Sequence, residues 1–411
     1  MIPIQNILAA CAAPAVLAGT AMAGTFWALA VAALPRRPRP SALAGEARSS
    51  FAIVIPAHDE EQGIGRTLDS CRALDYPAGS FAVHVVADNC ADRTAEVARD
   101  RGVECFERRD PARAGKGHAL GYAFERIDLA RHDAILVLDA DCEIDGHALR
   151  AADRLLGAGD LALQLNNVAS NPDESATSYA LALGNHMENE FFYAPKSRWG
   201  GLVLLRGTGM VLHRDLLRRL PWRAHSIVED AQYSLELARR GIRVRFVAEA
   251  AVRSPFPAGQ AQLRVQRTRW AGGNLKLARR QGPAWIVAGL RHRRPAWIEV
   301  GWTLVLLSRP LVALVALLAF ALALAAALAE PARRPPLPLA AAAGPLALLA
   351  AYVGLGALHF GLTRRRLGLL LVCPATLLRL LAIALAGLFR RDEGDWARTP
   401  RGGGGGSGAG G

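Results

Sequence analysis

The chain has 411 residues, 52% of them hydrophobic, and a formal net charge of +13. That length suits two or three domains rather than one. The arginines flank long apolar runs near both ends, as in Pro35-Arg36-Arg37-Pro38-Arg39 and Arg364-Arg365-Arg366. That placement fits membrane anchoring and argues against a nucleic-acid binder, for which no RNA- or DNA-binding motif is present. The six cysteines form no C-x-x-C pair, which argues against a zinc or redox centre and for reduced thiols.

The first apolar stretch, residues 7–34, is long enough to cross a bilayer. Ala21-Met22-Ala23 resembles a signal-peptide cleavage site, but no Lys or Arg precedes the run and apolar residues continue to Leu34. Residues 1–34 are therefore read as a transmembrane helix. The positive cluster in the basic linker, 35–50, predicts that the middle domain is cytoplasmic.

The middle domain, 51–252, alternates strand-like and helical runs. Strands are expected at 51–56, 81–87, 103–106 and 134–138, with helices at 63–74 and 92–101. This rhythm predicts an α/β fold with a doubly wound, mostly parallel sheet, whose ligands sit beyond the carboxyl ends of the strands. A further amphipathic helix is expected at 176–192.

Residues 253–308 are rich in Arg and Trp and read as interfacial helices. Within 309–390, stretches 311–328 and 337–362 read as membrane spans. Stretch 367–389 contains Pro374 and Arg379 and reads as an interfacial or re-entrant helix, since charge in mid-span is costly. Residues 391–411 form a tail with a Gly-rich end.

Acidic residues stand at successive strand ends: Asp59 and Glu60, then Asp88, then Asp139-Ala140-Asp141. Carboxylates gathered at one sheet edge repel one another unless a cation sits among them. A divalent ion carrying a diphosphate meets that need, and Mg²⁺ takes few protein ligands. Strand-end aspartates also cap helices, and that is the reading taken for Asp92 and Asp145. Gly115-Lys116-Gly117 precedes a helix, where exposed backbone N–H groups and the lysine suit a phosphate. His118 and His186 are read as non-catalytic.

With Glu229-Asp230 and Gln266-x-x-Arg269-Trp270 added, the set resembles the inverting, membrane-bound family 2 glycosyltransferases, such as the cellulose, hyaluronan and poly-N-acetylglucosamine synthases. The matching pieces run from about Phe51 to Trp270; the flanking spans match only in arrangement. The resemblance implies a GT-A-type, nucleotide-sugar-binding domain flanked by transmembrane helices. It makes Asp230 the catalytic base. Asp59, Glu60, Asp88, Lys116, Asp139, Gln266 and Arg269 would bind the donor. Glu229 and Trp270 would face the acceptor, and Asp139 and Asp141 would hold Mg²⁺ or Mn²⁺. The chain departs from the family pattern at Val228, at Asp59 and in Asp88-Asn89-Cys90, none of which removes a charge the chemistry needs.

The expected function is transfer of a sugar from a nucleotide sugar, a UDP-sugar, to a growing polysaccharide at the cytoplasmic membrane face. Export or periplasmic subunits would then be further partners. A single transfer to a ceramide-type lipid is the alternative, and a non-catalytic scaffold of an export complex is a third reading.

Overall fold

The computed structural model describes residues 3–34, 46–224, 226, 228–307, 309–329 and 337–389. The side chains of 260–276, apart from Leu263, lie outside that description, as do linker residues 35–45 and the tail from 390.

The chain opens with α1 (Ile4–Ala33) and enters the sheet at β1 (Phe51–Ala57). Then come α2 (Ile64–Arg72), β2 (Phe81–Asp88), α3 (Thr94–Asp100), β3 (Glu104–Arg108), α4 (Lys116–Phe124) and β4 (Ala134–Val137). The second half of the sheet brings β5 (Glu143–Ile144), α5 (Ala148–Gly157), β6 (Ala162–Ala169), α6 (Ala176–Glu188), α7 (Ala194–Trp199), β7 (Met210–His213), α8 (Arg214–Arg219), α9 (Glu229–Arg239) and β8 (Val244–Ser254).

The strand order is β3-β2-β1-β4-β7-β6-β8-β5. β3, β2, β1 and β4 run parallel, as do β6 and β8, whereas β7 is antiparallel to both its neighbours and β5 to β8. The sheet is thus mixed, with its parallel half where the alternating strands and helices were expected. β1 is covered on both faces, which is why it reads as an unbroken apolar run. Its side chains alternate between two cores. Phe51, Ile53 and Ile55 join Ile64 and Leu68 of α2 and Leu149 of α5 on one face. Ala52 and Val54 face Leu120 of α4, Tyr179 of α6 and Phe26 of α1 on the other.

Pairing of Phe51 with Phe81 and of Val54 with Val137 aligns the carboxyl ends of β1, β2 and β4. Asp59, Asp88 and Asp139 therefore emerge at one sheet edge. Neither Asp92 nor Asp145 is a helix cap. Arg93 stands at the cap position of α3 without a side-chain cap bond, and the Asp92 carboxylate accepts from the Thr94 N–H at 2.9 Å in the turn just before it. Asp145 serves the sheet. Its carboxylate accepts from the Ala251 N–H at 3.0 Å and pairs with Arg253, tying β5 to β8. The helix expected at 176–192 is interrupted after Glu188 by a wider turn, Asn189–Tyr193, before α7 begins.

Beyond the sheet come α10 (Gln260–Arg291), α11 (Pro295–Leu306), α12 (Arg309–Ala329), α13 (Leu339–Phe360) and α14 (Arg364–Phe389). Among the described residues, Ile4–Ala33, Leu311–Ala329 and Leu339–Phe360 are long and apolar enough to cross a membrane. Ala12, Val16, Ala319, Ala323 and Ala342 pack between them. Small residues let such helices approach closely. α14 runs as one helix through Pro374.

The two parts are clasped together. Lys196 is buried and pairs with Glu299 at 2.6 Å, and Glu299 also accepts from the Leu202 N–H at 2.9 Å. Arg198 donates to the Ala32 carbonyl at 2.9 Å, and Arg366 pairs with Asp173 at 2.7 Å.

Candidate active site

Lys116 is the first residue of α4, and its ammonium reaches over the sheet edge to pair with Asp139. It also donates to the Gly207 carbonyl at 2.8 Å. Asp139 follows β4, and its N–H donates to the Thr208 hydroxyl at 3.1 Å. Gly207-Thr208-Gly209 leads into β7, so the antiparallel strand delivers this turn beside Asp139. Gly207 has φ +76°, and a Cβ there would lie 3.1 Å from Lys116 Nζ and 3.4 Å from Asp230 Oδ2. A side chain at 207 would crowd the cation and the carboxylate it faces, so glycine is required twice over.

Glu229 and Asp230 begin α9, where the N–H groups of a helix start favour negative charge. Asp230 accepts from the Ala231 N–H at 2.7 Å. The structure thus gathers Lys116, Asp139, Glu229 and Asp230 in one cleft, from segments remote in sequence.

Their charges act on one another. Burial alone would lower the Lys116 ammonium, but Asp139, Glu229 and Asp230 outweigh it and raise its pKa. Burial and then the Asp230 charge push Glu229 up to about 8, against the pull of Lys116. Burial likewise raises Asp230, opposed by the Ala231 N–H, Lys116 and Arg206. A raised carboxyl keeps a proton in the folded chain that the unfolded chain has released, so it stabilises at low pH and less as pH rises. Glu229 should therefore make the fold less stable between about pH 4.5 and 8. Melting temperatures taken across that range should fall in the wild type and fall less in Glu229→Gln. Equal slopes would remove Glu229 as the cause.

Oxygens of Asp139 and Asp141 and the Cys142 sulfur lie within 4.8 Å of one another. Cys142 is buried, and burial together with Asp141 and Asp139 keeps its thiol protonated. The two carboxylates are thus the hard ligands on offer, which fits Mg²⁺ or Mn²⁺ completed by phosphate and water. Asp59, Cys90 and Asp92 form a second close group. Its carboxylates accept backbone N–H groups of Ala91, Thr94 and Glu61 at 2.7–2.9 Å, so they hold the loops together.

Asp88 sits differently. Its carboxylate is 2% exposed, pairs with Arg108 at 2.6 Å and accepts from the Gly115 N–H at 3.3 Å. It therefore lies directly behind the glycine turn at Gly115. Glu60 lies in the first loop, its N–H donating to Thr94 Oγ1 at 2.7 Å. Gln266, Arg269 and Trp270 fall on α10, and their side chains lie outside the described residues.

Two participants are absent from the sequence expectations. Arg108 closes β3 and neutralises Asp88 across twenty residues. Arg206 precedes the Gly207 turn and donates to Asn189 at 2.6 Å and to Asn185. A basic residue directly before Gly-x-Gly is the one signal that points to it.

The family model for glycosyltransferase-like family 2 matches residues 47–273, more than half of the chain. The chain belongs to this family. It is 26% identical over 239 residues to the probable glycosyltransferase YdaM of Bacillus subtilis, covering 54% of each chain. It is 25% identical over 249 residues to a beta-monoglucosyldiacylglycerol synthase of Synechocystis, covering 58% of this chain and 51% of that one. Identity to a UDP-forming cellulose synthase catalytic subunit of Xanthomonas axonopodis is 26% over 263 residues, covering 61% and 35%. The chain thus spans about half the length, or less, of these relatives. In structure it resembles the mannosyltransferase PcManGT of Pyrobaculum calidifontis, solved with GDP-Man and Mn²⁺, at a TM-score of 0.58 and 20% identity over 93% of this chain and 99% of that one. That likeness establishes a GT-A-like fold with accompanying helices.

Proposed function

We propose that this family 2 member transfers a hexose, with inversion, from a UDP-sugar to an acceptor hydroxyl at the cytoplasmic face of a membrane. The convergence of Lys116, Asp139, Glu229 and Asp230 around Gly207 carries the reading. Asp230 takes the proton of the acceptor hydroxyl as its oxygen attacks the anomeric carbon. The bond from that carbon to the diphosphate oxygen breaks, and the nucleoside diphosphate leaves with the electron pair. A raised pKa makes Asp230 the better proton acceptor. Lys116, with Arg269 of α10, balances charge gathering on the leaving group. Asp139 and Asp141 would hold a divalent cation, which when bound shields the diphosphate charge. Asp59, Glu60 and the Asp88–Arg108 pair support the nucleoside side. Gln266 and Trp270 close over donor and acceptor.

Purified protein in detergent, given a panel of nucleotide sugars with Mg²⁺ or Mn²⁺, should consume one of them and yield a glycosylated product by mass spectrometry. Consumption of none would defeat the reading. Asp141→Ala should weaken metal-dependent UDP binding by about tenfold or more in calorimetry, as loss of a charged ligand predicts; unchanged affinity would remove Asp141 from the metal site.

A further inference from the structure

A second polar group lies where the catalytic layer meets the apolar helices. Arg206, beside Gly207, reaches Asn185, Asn189 and Glu188, the last at 3.7 Å. Glu188 in turn pairs at 3.4 Å with Arg309. Arg309 stands two residues before the apolar span that begins at Leu311. An unbroken line of charge therefore runs from the turn facing Asp230 to the boundary of the spanning helices.

This line is not satisfied internally. Among the described residues, the Tyr352 hydroxyl has no hydrogen-bond partner although Tyr352 is only 3% exposed. It lies within electrostatic reach of both Arg309 and Glu188. Arg309 Nε is also buried without a partner. Arg309 also donates to the Gly184 carbonyl at 2.9 Å, but a buried donor left unpaired costs about 1–3 kcal/mol of desolvation, so two such donors within electrostatic reach of each other favour an oxygen-bearing ligand. The two arginines outweigh the single glutamate, which suits a ligand rich in acceptor oxygens. Arg309 stands at the start of a membrane span. The polar head of a membrane lipid lies at that level.

We propose that Arg309 and Tyr352, with Arg206 behind them, seat the head of a lipid acceptor and present its hydroxyl to Asp230. This rests on the glycosyltransferase reading and names its acceptor class. Arg206 and Glu188 act as positioning residues, carrying the head from the bilayer boundary to the cleft.

Tyr352→Phe separates binding from structure, because it deletes an unpaired buried hydroxyl and keeps the ring that stacks on Phe26. The full chain would be assayed in dodecyl maltoside micelles containing diacylglycerol or phosphatidylglycerol, with a cello-oligosaccharide as the soluble alternative. Wild type should glycosylate one of the lipids. Tyr352→Phe should raise the KM for that lipid by about three- to tenfold, the worth of one hydrogen bond. Its KM for the nucleotide sugar should stay unchanged and its melting temperature should not fall. Arg309→Lys keeps the charge opposite Glu188 and should raise the lipid KM similarly. Wild-type lipid KM in both variants, or transfer to the oligosaccharide and neither lipid, would overturn the inference while leaving glycosyl transfer intact. A wild type that consumes no nucleotide sugar would instead defeat the glycosyltransferase reading itself.

Discussion

Asp230→Asn should cut sugar transfer by about a hundred- to ten-thousandfold, the range that a positioned general base supplies. The substitution keeps the shape of the side chain and removes its charge together with its ability to take a proton. Donor affinity should change little, because Asp139 and its lysine partner are untouched. The geometry adds a second signature. The Asp230 charge helps to hold Glu229 high, so Glu229 should fall toward its ordinary range in the variant. Transfer at the wild-type rate would remove Asp230 as the base. Glu229 is the obvious rival, but it is buried, whereas Asp230 faces Gly207 at the cleft.

Lys116→Ala should be the most damaging change to the fold among the cleft residues. The ammonium acts on Asp139, Glu229 and Asp230 together. Removing the cation leaves the carboxylates uncompensated, at a cost below that of a fully buried pair because solvent screens the partly exposed Asp139. The loss, read as a fall in denaturation midpoint, should be largest near neutral pH and shrink in acid, where protonated carboxyls no longer need the lysine. UDP affinity should fall with it. An unchanged midpoint at pH 7 would show that the carboxylates are held by something else.

Much of this site is written in local sequence. An unbroken apolar run such as 51–55 has few uses other than a strand covered on both faces, and an acid at its end must then lie at a sheet edge. Asp139 and Asp141 were legible for that reason, as was the glycine turn at Lys116. The antiparallel β7 was not. Its four residues, Met210–His213, are too short to show a period, and they pair with β4 across some seventy positions. The Asp88–Arg108 and Arg206–Glu188 pairs were hidden for the same reason, since side-chain partnership between separate segments leaves no pattern in either one. Asp145 looked like a helix cap because a helix follows it; what it binds comes from β8, about a hundred residues later.

The clasp of Lys196, Glu299 and Thr303 carries a mechanical consequence. Drawing the catalytic layer away from α11 would strand a buried ammonium without its carboxylate, at several kcal/mol. Lifting of the layer from the helices is therefore disfavoured. The layer acts as a fixed gauge, holding Asp230 at one height above the start of the apolar spans. On the proposed lipid-acceptor reading, an acceptor would be selected by reach, since a head too short to span that interval would not meet Asp230.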